Sequence, residues 1–384
     1  MKKKKVFFAT AMMAMAMVFA GCSSSSGSDT IKLGVNLELT GDASSYGNME
    51  LNGVKLAVKQ INDAGGIDGK KIEIVQYDNK SDAPTAVQNQ TRLVTDDKVV
   101  AVVGPATSGL AKAVTPVSND NGVPVIFASA TADGVTNDGS KAYAEAFRIC
   151  FGDSFQGITM ANFASNKLNA KTAVILRDTN DYGTGLAVNF TKQFKANGGT
   201  ILKEEVFNTK DTDFNSVLTN IKNLGAFDVL FVPGYYSEAG LIINQARTLG
   251  INATVLGADG FESDKLVELA TAPSLNNVYY STHYSTLGEN TTLQDFIKAY
   301  ATEYNENPNA FNALGYDAAK LAMDAIQRAG KVDSAAVTTA LNETKDFAGV
   351  TGTISISALH DAVKSAYVVG LENGVATTAV LVNP

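Results

Sequence analysis

Val99-Val100-Ala101-Val102-Val103 is an apolar run, mostly β-branched, with the turn residues Gly104-Pro105-Ala106-Thr107-Ser108-Gly109 directly behind it. Strands buried on both faces of a parallel sheet read this way, as continuous runs rather than alternations. A helical spacing follows in Leu110, Ala113, Val114 and Val117. A second buried strand, Val123-Pro124-Val125-Ile126-Phe127, then leads into Ala128-Ser129-Ala130-Thr131. Two neighbouring strands thus end in short, hydroxyl-bearing loops that open toward helix N-termini. In open α/β sheets ligands lie at the carboxyl ends of strands, where unpaired N–H groups and the positive end of the helix dipole favour an anion. Ser108 and Thr131 are therefore candidates to hold a small carboxylate. Taken singly, each reads more simply as a helix N-cap.

The same alternation occurs twice. In the first pass the strand Ile31 to Leu37 precedes Tyr46-Gly47 and a helix that ends at Gly65-Gly66, with the strand Ile72 to Tyr77 behind it. In the second, the strand Thr172 to Arg177 precedes Tyr182-Gly183 and a helix that ends at Gly198-Gly199, with the strand Ile201 to Phe207 behind it. Downstream the two passes align without a gap: Gly104 falls on Gly234, Pro105 on Tyr235, Ser108 on Glu238 and Ser129 on Asp259. Such self-similarity means two copies of one α/β unit. Asp259 follows the strand Thr254-Val255-Leu256 and is a candidate partner for an ammonium group, although Asp before Gly is also ordinary turn chemistry.

With 384 residues and 45% hydrophobic side chains, the chain can bury two sizeable cores. Its 31 Lys and Arg face 39 Asp and Glu; setting aside Lys2 to Lys5 leaves 27 basic side chains, with no basic cluster. Nucleic acid and direct binding to an anionic membrane surface are disfavoured. Two cysteines and two histidines, His283 and His360, cannot build a typical metal site and leave little for nucleophile–base catalysis. Gly183-Thr184-Gly185-Leu186-Ala187-Val188 starts like a dinucleotide fingerprint but carries Val where Gly or Ala is needed, and there is no Walker loop or G-x-S-x-G elbow. We expect no enzyme, no metal and no cofactor. Cys150, in Arg148-Ile149-Cys150-Phe151, reads as a buried small hydrophobe.

The segment 1–21 reads as a signal peptide: a tetralysine start and an apolar core from Val6 to Ala20, too short to span a membrane comfortably. Phe19-Ala20-Gly21-Cys22 resembles a lipobox, with Phe19 in place of the usual Leu, which marks Cys22 for lipidation. The Ser/Gly-rich remainder of 22–29 is a flexible tether. The expected localisation is extracytoplasmic, anchored by lipid to the outer face of the cell membrane.

VGPATSG (103–109) followed by VPVIFASAT (123–131) resembles the branched-chain (Leu/Ile/Val-type) amino-acid-binding lipoproteins of ABC importers, in the type I periplasmic binding protein family. The resemblance covers essentially the whole mature chain. It implies two Rossmann-like α/β lobes with parallel sheets, facing each other across a cleft and joined by a three-segment hinge. The implied division is 30–146 plus 281–353 for the first lobe and 147–280 plus 354–384 for the second. Ser108 and Thr131, with the neighbouring backbone of Ala106, Thr107 and Ala130, would take the α-carboxylate. Asp259 and the Ser129 carbonyl would take the α-ammonium, and Tyr46, Tyr182, Tyr235 and Phe311 would cover an aliphatic side chain. Relatives carry Glu where this chain has Asp259. Their first-lobe disulfide is absent, since Ser81 and Thr107 stand at the matching positions. The implied partners are a free amino acid (Leu, Ile or Val, with Ala as a further option) and ABC permease subunits, with the chain itself a monomer. The rival readings are a sensing protein of the same fold that passes its ligand signal to a separate receptor, and an α/β enzyme.

Overall fold

The structure, a computed structural model, describes residues 30–287 and 291–384. The expected signal peptide 1–21, Cys22 and the tether 22–29 lie outside the described residues.

The first half of the chain alternates β1 (Thr30–Leu37), α1 (Ser44–Asp63), β2 (Lys71–Asp78), α2 (Ala83–Thr95), β3 (Ala101–Val103), α3 (Ser108–Asn121), β4 (Val125–Phe127) and β5 (Ala146–Arg148). These strands form one parallel sheet in the order β2-β1-β3-β4-β5. The second unit follows with α4 (Asp153–Asn166), β6 (Thr172–Asp178), α5 (Asp181–Ala196), β7 (Thr200–Phe207), α6 (Asn215–Lys222), β8 (Val229–Phe231), α7 (Tyr236–Thr248), β9 (Thr254–Gly257), α8 (Asp264–Ala270) and β10 (Val278–Thr282). Its parallel strands take the matching order, β7-β6-β8-β9-β10, so the duplication read from the sequence is a duplication of topology. In both sheets the switch point of the strand order lies beside the first strand of the unit, where a crevice opens at the carboxyl ends.

The chain then passes through α9 (Thr291–Tyr304), α10 (Ala310–Ala329) and α11 (Ser334–Asn342), with α10 packed on α1. A small antiparallel sheet, β11 (Phe347–Gly349), β12 (Gly352–Ile356) and β13 (Ala362–Val363), leads back to β14 (Ala366–Glu372) and β15 (Val375–Val382). These last two strands extend the second sheet antiparallel. The expected parallel sheets form the repeated core, and this edge adds two antiparallel strands, of which β15 has no fully buried residue.

The chain crosses between the sheets three times: after β5, after β10, and between β12 and β14. Phe147 and Arg148 still pair with β4, and β10 stays in the second sheet through Thr282, opposite Tyr367. Ile354 pairs with Phe347, and His360 still bonds to the first lobe through Ala146 O.

The lobes are closed on one another. A continuous apolar cluster runs from Val35 and Leu37 of β1 through Tyr46 and Phe311 to Tyr236 and Phe261 of the second lobe. Polar contacts reinforce it: Tyr236 OH donates to Asp42 O at 2.8 Å and Ser45 Oγ meets Ser263 Oγ at 2.8 Å. Ion pairs Lys210–Asp42 (2.9 Å) and Lys112–Asp181 (3.4 Å) also bridge the lobes. Among the described residues no helix is long and apolar enough to cross a membrane.

Candidate functional site

Between the lobes lies a small cavity lined by Tyr46, Ala106, Thr107, Ser108, Ser129 and Phe311 from the first lobe and Tyr182, Tyr235, Asp259 and Gly260 from the second. Every contributor sits just beyond a strand's carboxyl end or in the first turn of a helix.

Tyr46 and Tyr182 occupy equivalent first turns, and the glycine after each is a steric necessity. A Cβ on Gly47 would lie 2.2 Å from Glu38 O, and one on Gly183 would lie 2.6 Å from Asp178 O. The glycines let each helix start against the end of its strand, which aims the preceding tyrosine into the cleft. Tyr46 stacks on Phe311 (centroids 4.3 Å) and Tyr182 on Tyr235 (4.9 Å), while Tyr46 meets Tyr235 edge-on at 5.7 Å. Phe311 is held by the capping box of α10, in which Asn309 and Asn312 bond reciprocally. The result is an aromatic wall suited to an apolar side chain. Tyr46 OH also donates to Gly260 O and accepts from Tyr236 N at 3.1 Å, so this ring ties the lobes together.

The opposite wall is polar. Thr107 is the N-cap position of α3, yet its side chain caps nothing; its hydroxyl donates to Glu38 at 2.7 Å. Glu38 also accepts from Ala106 N (3.0 Å) and Thr107 N (2.9 Å), so this buried carboxyl holds the whole loop in place. Ser108 Oγ accepts from Ala132 N at 3.0 Å, which joins the two loops and leaves its proton available to an anion. The first N–H groups of α3 have no intrahelical acceptor, as at any helix start. The N-cap reading of Ser108 is thereby replaced: it sits one position into the helix and bridges loops. Ser129 Oγ donates to Ala106 O at 2.9 Å and also meets the buried Glu50 carboxyl. Ala130 and Thr131 do not line the cavity, because the chain turns behind it at that point, where Arg148 and Asp153 bond Thr131 O. The Thr131 side chain is buried behind this wall, beside the Asp153 carboxyl.

Asp259 is 3% exposed. Its Oδ1 accepts from Tyr182 OH (2.7 Å) and Gln156 Nε2 (3.1 Å), and its Oδ2 faces His283 Nε2 at 3.1 Å. Burial pushes the His283 imidazole down to about 4 against the opposing hydrogen bond to Asp259, so the ring is neutral at pH 7. Among the described residues no Lys or Arg lies within ion-pair distance of Asp259. Burial also raises Glu50 well above the ordinary carboxylate range, with Glu38 adding to it, and raises Asp153, with Asp259 adding to it. Burial thus favours the neutral forms of Glu50 and Asp153 beside the cleft. A buried carboxylate without a cationic partner is costly unless a ligand supplies one.

Residues 30–376 match the sequence profile of the family described as periplasmic binding protein. The chain belongs to the periplasmic binding protein family. A relative named leucine-, isoleucine-, valine-, threonine- and alanine-binding protein, from Pseudomonas aeruginosa, is 32% identical over 329 residues, covering 85% of this chain and 86% of its own. Among solved structures, the branched-chain amino acid transporter substrate binding protein LivJ of Streptococcus pneumoniae, in complex with isoleucine, is 44% identical with a TM-score of 0.88, covering 92% of this chain and 100% of its own. The leucine binding protein LivK of Thermotoga maritima is 32% identical with a TM-score of 0.87, covering 92% and 99%.

For this binding protein the structure brings together Tyr46, Ala106, Thr107, Ser108, Ser129, Tyr182, Tyr235, Asp259 and Phe311 in one cavity and sets Ala130 and Thr131 behind it. Sequence reasoning missed Gly260, Glu38, Glu50 and Gln156, and took His283 for a structural residue. An acid inside the apolar run Leu37-Glu38-Leu39 was the available signal for Glu38. Gln156 and His283 reach Asp259 from separate elements and carry no local pattern.

Proposed function

We infer that this periplasmic binding protein captures a free aliphatic amino acid, of the branched-chain class, in the interlobe cleft and delivers it to an ABC permease. The observation that carries the reading is Asp259, a buried carboxylate with no cationic partner, set across an aromatic-walled cavity from the hydroxyls of Ser108 and Ser129. A zwitterion complements this layout. Its ammonium meets Asp259 and the Ser129 carbonyl. Its carboxylate meets Ser108 and the start of α3, and its side chain lies against Tyr46, Tyr235 and Phe311. The isoleucine-bound LivJ and the leucine-binding LivK support the ligand class. Delivery to permease subunits follows from the family's role. The tetralysine start and apolar core of the N-terminus support export, lipidation at Cys22 and action as a tethered monomer, with lobes divided near the three crossings.

Calorimetry on the mature protein tests the reading. Isoleucine, leucine or valine should bind, and isoleucinamide, which lacks the carboxylate, should bind far more weakly. Equal affinity for acid and amide would remove the carboxylate wall, and no binding of any aliphatic amino acid would remove the function.

A further inference from the structure

We propose that Arg148 and Asp361 form a latch at the hinge that sets the ligand loop Ser129 to Ala132 and the closure of the lobes together; the ligand part of this rests on the function inferred above. Arg148 ends β5, where the chain leaves the first lobe, and its side chain is 3% exposed. Its Nη2 pairs with Asp361 Oδ1 at 2.7 Å. Its Nη1 points at successive carbonyls of the ligand loop, Thr131 O at 2.7 Å and Ala132 O at 3.1 Å, with Ala130 O at 3.5 Å. One guanidinium thus reads the loop with one nitrogen and the third crossing with another. Asp361 lies between β13 and the last bonds to the first lobe, and it also accepts from Thr136 Oγ1 at 2.7 Å and from Asn137 Nδ2 at 3.3 Å. The backbone repeats the connection, since Arg148 N donates to His360 O at 3.2 Å.

The second lobe enters through the same loop. Thr131 O accepts from Asp153 N, the first residue of α4, at 2.8 Å. The first crossing passes so close that a Cβ on Gly152 would lie 2.8 Å from Arg148 Nη2. Rotation of one lobe against the other must therefore move the carbonyls that Arg148 holds, and a ligand that fixes the loop must bias the hinge. Only a planar fork with several donors can make these contacts at once; a lysine ammonium cannot. Arg148 is a positioning residue, since it does not line the cavity.

The test uses the mature chain with Cys22→Ser and spin labels at Lys70→Cys and Lys222→Cys, exposed positions on opposite lobes, while the Cys150 thiol stays buried. Interlobe distances are measured with and without isoleucine, alongside calorimetry and melting curves that confirm folding. Asp361→Asn and Arg148→Lys should each broaden the interlobe distance distribution in both states. Each should weaken isoleucine binding by about tenfold, the scale of one charge-assisted hydrogen bond. Thr136→Val, which removes a different Asp361 contact, should leave both readouts near those of the parent. Distances and affinity unchanged in Asp361→Asn and Arg148→Lys would overturn the latch while leaving the binding function intact. A parent that binds no isoleucine, with Asp361→Asn still broadening the ligand-free distances, would overturn the function and keep the latch; unchanged ligand-free distances in that case would overturn both.

Discussion

At the scale of single residues the cleft turns on Asp259. Read from the chain alone it is a loop residue whose loss leaves the fold untouched, but its carboxylate is buried among Tyr182, Gln156 and His283. Asp259→Ala should therefore act twice. Unpairing the ligand's desolvated ammonium should weaken isoleucine by about 3–5 kcal/mol, roughly two to four decades in Kd. Stranding buried donors should lower fold stability by about 1–3 kcal/mol. Asp259→Asn keeps the shape and loses the charge, so it should retain more stability while binding stays severely impaired. Calorimetry and urea titration separate the two effects, and wild-type affinity in a folded Asp259→Ala protein would place the ammonium partner elsewhere.

At the scale of elements the decisive contacts are between strand ends and helix starts. The repeated Tyr-Gly pairs work because Gly47 and Gly183 admit the carbonyls of Glu38 and Asp178 where a side chain would stand. Gly47→Ala should push α1 away from β1, displace Tyr46 from Phe311, and destabilise the fold by about 1–3 kcal/mol, the usual scale of overpacking. Isoleucine affinity should fall with it although residue 47 touches no ligand. Chemical denaturation of Gly47→Ala beside an exposed helical control, Lys55→Ala, checks this; equal midpoints would show that the approach is not needed. Glu38 belongs to the same scale, since it shapes the Ala106–Ser108 loop from β1.

At the scale of the whole molecule, closing two lobes over a ligand buries titratable groups whose effects on stability oppose each other. His283 is pushed down from its ordinary 6.5 to about 4 by burial. Between those values the unfolded chain binds more protons than the folded one, so this group's contribution rises with pH across that window and is lost as pH falls through it, by up to about 3 kcal/mol. Glu262, raised by burial to about 7, acts with the opposite sign: its contribution is full below its ordinary 4.5 and is lost as pH rises through 7. Thermal melts from pH 4 to 8 should show His283→Gln removing the rising component and Glu262→Gln the falling one. Parallel curves for wild type and both variants would mean that neither group titrates in that range.

The chain by itself determined the repeat, the strand–helix alternation and the strand ends that carry the site, because period, β-branching and paired Tyr-Gly signals are local properties of sequence; the family resemblance, and not these signals, pointed to Phe311. Tertiary structure alone decided the rest. The turn of Ala130 and Thr131 behind the wall, the clamp of Glu38, the Gln156–Asp259–His283 cluster and the guanidinium of Arg148 at the hinge all depend on groups brought together from distant positions in the chain. A buried polar side chain is chosen for the partner it meets in space, and no spacing along the chain records that meeting.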